Sequence, residues 1–313
     1  MNLSVLEKSI LRTLVYFDLG AYPLTANEIW QFLHKEVVND FKILLSTLEN
    51  LKDKNIISEQ YGFYFLFGRQ DLVEKRRSQL VISELKLKKA QRAAKFIMGV
   101  PFLKAIFVCN TVAAGTAFKE SDIDFFIITE KNRLYIVRFF VNLILRIFGL
   151  RTYGSQTADR ICLSFFVDDQ NLNLEKLKAL SNDIHFAYWI LQMTPIYDPQ
   201  NYFKRFLSAN HWIKKYTPNF NFQTQYVNVV KPNIIMNSWQ KIWQTIWQGQ
   251  YGNLIETQAR EWQLLKMQLS LKEKAKMGDN GVVINKGVVK LHEHDTRRAI
   301  YESWNRRVNE FGL

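Results

Sequence analysis

The sequence predicts an α+β protein in three parts, and three observations carry that prediction. Apolar residues recur at helical spacing through the first 55 or so positions. Three apolar, strand-like runs follow, KAIFVCN at 104–110, DIDFFIIT at 122–129 and RICLSFFV at 160–167, with helical stretches between them. From about residue 174 the pattern turns mainly helical. A chain of 313 residues, 48% of them hydrophobic, has room for two or three domains of ~100–200 residues, each with its own core. The expected parts are 1–70, 71–172 and 173–313.

In the first part, Leu6, Ile10, Leu11, Leu14 and Val15 lie on one face of a helix, and the stretch Asp18 to Pro23 breaks it. Thr25 and Glu28 have the spacing of a capping box, each side chain able to satisfy a free N–H of the other. Ile29, Trp30, Phe32 and Leu33 fill a second helix. A third runs from about 39 to 54 with Phe41, Leu44, Leu45, Leu48 and Leu51 inward. Two strands then flank Tyr61-Gly62. Three helices and a hairpin make the winged-helix arrangement. The last helix of such a unit often enters the DNA major groove. Here Lys42, Lys52 and Lys54 are set against Asp40, Glu49 and Asp53, and only Asn39 offers an amide to read bases. Protein contact, or docking on its own chain, stands beside DNA binding as a role for this unit.

Residues 71–98 predict one long charged helix joining the first part to the second. The run 134–150 is strongly apolar, but Arg138 and Arg146 interrupt it on one face and it is shorter than the ~20 residues that span a bilayer. An amphipathic helix packed on a sheet is expected, with a membrane-surface helix as the alternative and no membrane partner anticipated. Further on, Ser181-Asn182-Asp183 offers caps for a helix whose Phe186, Trp189, Ile190 and Met193 fill a core, and Pro195 ends it. Helices are expected over 199–215 and 237–274, with Trp239, Trp243 and Trp247 forming a single core stripe. The turn at 278–281 precedes two short strands, GVVIN and GVVKL, and a last helix over about 294–311.

The formal charge is +13, which draws polyanions, so nucleic acid, nucleotides and an anionic membrane face are all candidate partners. A lysine-rich background with no such partner explains the same number. The two cysteines, Cys109 and Cys162, each lie in an apolar run, which fits buried thiols in a reducing cytoplasm. No signal peptide is expected from the first residues.

The chemistry concentrates between Phe107 and Thr129. A strand leads into small residues, ten residues separate Thr111 from Asp122, and Asp122-Ile123-Asp124 opens a second apolar strand. Residues two apart on a strand share a face, so both carboxylates project together. Such a pair repels itself unless a cation lies between. Hard cations such as Mg²⁺ take oxygen ligands and keep room for phosphate oxygens. Two ordinary acids at a solvated edge are the alternative, and the apolar FFII that follows argues against it. Near the C-terminus, His292 and His294 lack further ligands nearby in sequence for a zinc site. Asp295 is expected to cap the last helix. His34, His185 and His211 sit among apolar residues and are expected to be structural.

Over roughly residues 100–170 the chain resembles the DNA polymerase β-like nucleotidyltransferase superfamily. The signature there is an apolar strand, Gly-Ser, a spacer, then Asp-apolar-Asp-apolar; the strand, the spacing and Asp122-Ile123-Asp124-Phe125 match it here. The resemblance implies a central mixed sheet with flanking helices and a helical accessory domain. It also implies Mg²⁺ held by Asp122 and Asp124, and an NTP whose NMP passes to an acceptor: a small molecule, a protein or a nucleic-acid end. Asn110-Thr111 stands where the family has Gly-Ser, so Asn110, Thr111 and Gly115 become the expected phosphate-binding residues, Asn being the non-glycine residue best able to take the unusual backbone angles. Lys119, Lys131 and Arg133 flank the motif as phosphate neutralisers or plain surface charges. The family's third carboxylate belongs on the third strand. There Ser164 holds the expected position, and Asp168 is in phase but ~13 Å further on, so either Asp168 completes the metal site or the site is incomplete. A catalytically degenerate nucleotide- or nucleic-acid-binding regulator is the alternative function.

Overall fold

The computed structural model describes residues 3–221, 229–232, 234–278, 280–292 and 295–313. It is a mixed α+β fold with two sheets. The chain opens with α1 (Val5–Leu19), β1 (Leu24–Thr25), α2 (Ala26–Phe32), α3 (Phe41–Asp53), β2 (Ile57–Gln60) and β3 (Phe63–Leu66). The capping box at Thr25 and Glu28 is present, and Ser4 with Glu7 makes a second one at the start of α1. Both Tyr61 and Gly62 take positive φ, 54° and 80°, the backbone that a tight hairpin of right-handed twist requires. The strands form an antiparallel sheet in the order β1-β3-β2. Phe41 and Leu45, expected inward, face out with Ile43, so α3 presents apolar side chains to solvent.

Next comes α4 (Asp71–Ile97), 27 residues long. Its buried stripe follows helical spacing from Leu72 and Val73 to Ala90, Ala94 and Ile97, but is polar in between, at Arg76, Gln79, Ser83 and Lys86. The reason lies in the loop it covers, described below.

The large sheet contains β4 (Leu103–Cys109), β5 (Ile123–Thr129), β6 (Ile161–Asp168), β7 (Thr194–Tyr197), β8 (Val282–Ile284) and β9 (Val288–Leu291) in the order β7-β4-β5-β6-β9-β8. β5 runs parallel to β6 and antiparallel to β4. The short α5 (Asn110–Ala114) follows β4, and α6 (Leu134–Ile147) crosses from β5 to β6. The expected amphipathic packing holds: Leu134, Val137, Val141 and Leu145 of α6 join the core on one sheet face, with Ile106, Val108, Ile123, Phe125 and Ile127. No helix among the described residues is long and apolar enough to cross a membrane. On the other face, Phe107, Cys109, Phe126 and Phe165 share a continuous core with α7 (Ile184–Leu191), α8 (Tyr202–Ala209) and α1 to α3. Burial on both faces makes these strands continuous apolar runs.

Three local expectations are corrected. Pro195 lies in β7, an edge strand, where a missing N–H is tolerated, and not simply at a helix end. The stretch 237–274 divides into α9 (Ile234–Ile246), α10 (Gly249–Lys266) and α11 (Leu269–Lys276). The tryptophan stripe is core only in part: no residue of α9 is fully buried and Trp239 is 52% exposed, while half-buried Trp247, just past the helix, packs against the α6 core and stacks on Phe140. The final helix, α12 (Arg297–Glu310), packs on α1, where Trp304 Nε1 donates to the Arg12 carbonyl.

Candidate functional site

Asp122 and Asp124 lie where β5 begins, at the sheet end where β4 finishes and β6 starts. A cleft of about 360 Å³ opens there. Asn110, Thr111, Asp122 and Asp124 line one side; His185, Trp189, His292 and Arg297 line the other.

Each residue on the first side has a local cause. β4 ends at Cys109 and the chain turns at once into α5, which Asn110 permits by adopting a left-handed backbone, φ 57°. Its side chain is then fixed. The Oδ1 accepts the Trp189 indole N–H at 2.6 Å, and the side chain also hydrogen-bonds the Asp124 carboxylate. Thr111 is exposed at the cleft. Gly115 is not part of the lining. It caps α5 at φ 71°, and an added Cβ would come within 2.8 Å of Arg76 Nη1, so its glycine serves loop packing.

The loop from Gly115 to Asp122 is laced to α4 by that helix's buried polar stripe. Arg76 donates to the carbonyls of Ala114 and Gly115, Gln79 to that of Thr116, and Ser83 Oγ accepts from the Ala117 N–H. Lys86, 2% exposed, donates to the carbonyls of Lys119 and Ser121 and pairs with Asp159 in the loop before β6. These bonds satisfy buried groups that would otherwise each cost ~1–3 kcal/mol, and they fix the approach to Asp122. In sequence the stripe reads as a solvated charged face. Its helical spacing was visible, but the loop beneath it was not.

Asp122 is half-buried and Asp124 only 7% exposed. Burial, then the Asp122 charge, raises the Asp124 carboxyl to about 6; burial raises Asp122 as well. Of the cations nearby, Lys86 pairs with Asp159 and Arg297 with Asp183 and Asp295, while the Arg151 charge acts on Asp122 and Asp124 and offsets part of the rise. The neighbour across the ladder is Cys162, which pairs with Asp124. One ligand atom each from Asp122, Asp124 and Cys162 all lie within 4.8 Å of one another. A cation there would be met by two carboxylates and a sulfur.

Asp168 is not part of this group. It pairs with Thr129 at the far end of β5 and β6, six residues or ~20 Å from Cys162, where it accepts from Gln170 and Asn171. The expected phase also fails. Between Asp124 and Phe126 the register slips by one, since Cys162 and Phe165 are three apart. Phe165 and Val167 therefore share the face of Phe126, while alternation sends Asp168 to the opposite face. Ser164 remains on the cleft side and bonds His292 Nε2 at 3.3 Å.

The second side of the cleft was not foreseen. β9 joins the open edge of β6 and carries Lys290 and His292 there. His292 lies against Phe165, and burial, aided by the Lys290 charge, lowers it to about 4, so its imidazole is neutral. His294 lies outside the described residues. Asp295 does not precede the helix as its cap residue, a position held by Thr296, but its Oδ1 accepts the Arg297 N–H. Burial works against its charge, yet hydrogen bonds from Arg297 hold it at about 2. His185 is structural in part: Nδ1 meets the Tyr16 hydroxyl at 2.6 Å, tying α1 to the cleft wall. His34 is buried against Trp304, whereas His211 is exposed. Lys119, Lys131 and Arg133 do not line the cleft, and Arg133 binds Asn253 of α10 instead.

No protein-family model matches the chain, nor does any curated protein or solved structure.

Proposed function

We propose that the cleft binds a nucleoside triphosphate together with a divalent cation held by Asp122 and Asp124. The finer layout belongs to the same proposal: a winged helix before a nucleotidyltransferase-type sheet and a helical accessory region. What supports it is the order of three helices and a hairpin, then a carboxylate strand between one antiparallel and one parallel neighbour.

The single observation that carries the proposal is the Asp122–Asp124 pair, almost enclosed at Asp124 and facing a cleft, with Lys86 and Arg297 paired elsewhere and the Arg151 charge leaving the Asp124 carboxyl still raised. Two like charges in that setting cost desolvation and repulsion that a bound cation removes. The carboxylate pair fits one Mg²⁺, which when bound supplies positive charge to phosphate oxygens. Asn110 orients Asp124, Lys86 holds the turn before Asp122, and the Thr111 hydroxyl is available to a phosphate at the mouth. The donor set does not fit a second hard ion, because Cys162 and Ser164 stand where a third carboxylate would be needed.

Binding therefore stands ahead of turnover. The chain then acts as a nucleotide-binding regulator, its N-terminal unit joined to the cleft wall through Tyr16 and His185. Transfer of NMP to an acceptor hydroxyl is the second reading. One observation favours it: His292 lies in the cleft with Nε2 3.3 Å from the Ser164 hydroxyl, a polar pair able to hydrogen-bond an acceptor hydroxyl as its oxygen bonds the α-phosphate, its proton passes to solvent and pyrophosphate leaves. Calorimetric titration of ATP, GTP, CTP and UTP with and without Mg²⁺ tests binding. Incubation of the protein with labelled NTP and cell extract then separates transfer from binding alone.

A further inference from the structure

Cys162 differs from the two carboxylates beside it in being soft. Its sulfur lies within 4.8 Å of carboxylate oxygens of Asp122 and Asp124, at the ladder position directly beside Asp124. No disulfide competes for it. Cys109, the other cysteine, sits on β4 with β5 between, two ladder spacings or ~9.5 Å away, beyond the ~7 Å limit for a bridge. Arg151 donates to the carbonyl of Ile161 at 2.9 Å, which brings a guanidinium beside the thiol. Burial and the Asp124 and Asp122 charges nevertheless push the Cys162 thiol well up, the Arg151 charge opposing them only in part, so the metal-free site holds a thiol.

We infer that Cys162 is the third ligand of the cation site, and that the site prefers a borderline ion of the Zn²⁺ class over Mg²⁺. This rests on the proposal that Asp122 and Asp124 hold a cation. Mg²⁺ takes oxygen and leaves the thiol protonated as a bystander. Zn²⁺ or Co²⁺ accepts sulfur, nitrogen and oxygen ligands in tetrahedral sites. On binding, the Cys162 S–H bond breaks, the proton goes to solvent, and the thiolate donates its electron pair to the metal, with no change of oxidation state. Three protein ligands then leave a fourth position open toward the cleft, the arrangement of sites that admit a further oxygen ligand such as phosphate. The Asp124 carboxylate is more than nine-tenths buried, lines the cleft and makes no ion pair among the described residues; its side-chain hydrogen bonds come from Asn110 and from Cys162 itself.

The test is Co²⁺ titration of the full-length protein, read by absorption. Thiolate coordination gives an intense near-ultraviolet charge-transfer band that oxygen ligands alone do not give. The band is expected in wild type and in C109S, and absent in C162S. Competition should show Zn²⁺ binding C162S at least ~10-fold more weakly than wild type, since losing even a supporting partner of a ligand costs ~10–100-fold. C162D should bind Mg²⁺ more tightly than wild type. Circular dichroism of each variant checks its fold, and the wild-type band is decisive by itself. Co²⁺ binding without that band, or equal Zn²⁺ affinity in folded C162S, overturns the inference while leaving the carboxylate site standing. If no Mg²⁺, Zn²⁺ or Co²⁺ binds at all, both fall.

Discussion

Asp124 and Cys162 face each other across the parallel ladder of β5 and β6, and for the proposed cation site that pairing sets which ion fits. A carboxylate from β6 at this position would complete a hard-ion site. A thiol leaves two oxygens and a sulfur, with Ser164 two residues on and Asp168 at the far end of the strand.

The Asp122–Asp124 pair makes the metal-free protein sensitive to pH. The Asp124 carboxyl keeps its proton up to about 6 in the folded chain, against an ordinary value near 4 when unfolded. Between those values the folded state holds more protons, so stability is greatest below the lower value and falls as pH rises through the higher one. Thermal melts in EDTA should show this decline from about pH 4 to 7 for wild type and a flatter profile for Asp124→Asn. Saturating divalent cation should stabilise wild type at pH 7 and leave D124N unmoved.

Lys86→Met removes an ammonium that holds two loop carbonyls, those of Lys119 and Ser121, and keeps the aliphatic volume. Urea unfolding should show a loss of about 2–4 kcal/mol from the two unsatisfied acceptors. Cation affinity should fall too, because the turn that aims Asp122 loosens. Unchanged affinity in a folded variant would show that α4 does not position the site.

Gly115→Ala separates loop packing from phosphate binding. The positive φ and the close Arg76 nitrogen predict a loss of about 1–3 kcal/mol. Nucleotide affinity, measured by calorimetry below the melting range, should stay near that of wild type.

Asp168→Asn should leave cation affinity unchanged, since its carboxylate serves Gln170 and Asn171 at the other end of β6. A marked drop would place Asp168 in the metal site and contradict the ladder register described above.

Much of the frame was legible because it is local. The Thr25–Glu28 capping box, the Tyr61-Gly62 turn, the three central strands and the i, i+2 carboxylates each depend on residues close in sequence. Asn110 in a left-handed turn was likewise readable from residue type alone. What failed is non-local or depends on a single extra residue. The slip in β6 reverses the side-chain phase, so counting by twos from Ser164 to Asp168 gave the wrong face. Lys290, His292 and Arg297 enter the cleft only because β9 pairs with β6 across more than a hundred residues of chain. Nothing in the helical pattern of 71–98 told which polar side chains cover a loop and which meet water. The tryptophans of α9 have the spacing of a core stripe, yet spacing does not reveal whether another layer covers them.

The most direct measurement is calorimetric titration of Mg²⁺-ATP into the wild-type protein and into the double variant D122N/D124N. The account predicts saturable binding that disappears in EDTA and is lost in the double variant while circular dichroism shows the fold intact. Binding of equal strength in the two proteins, or none in wild type with any NTP and any divalent cation, would contradict it.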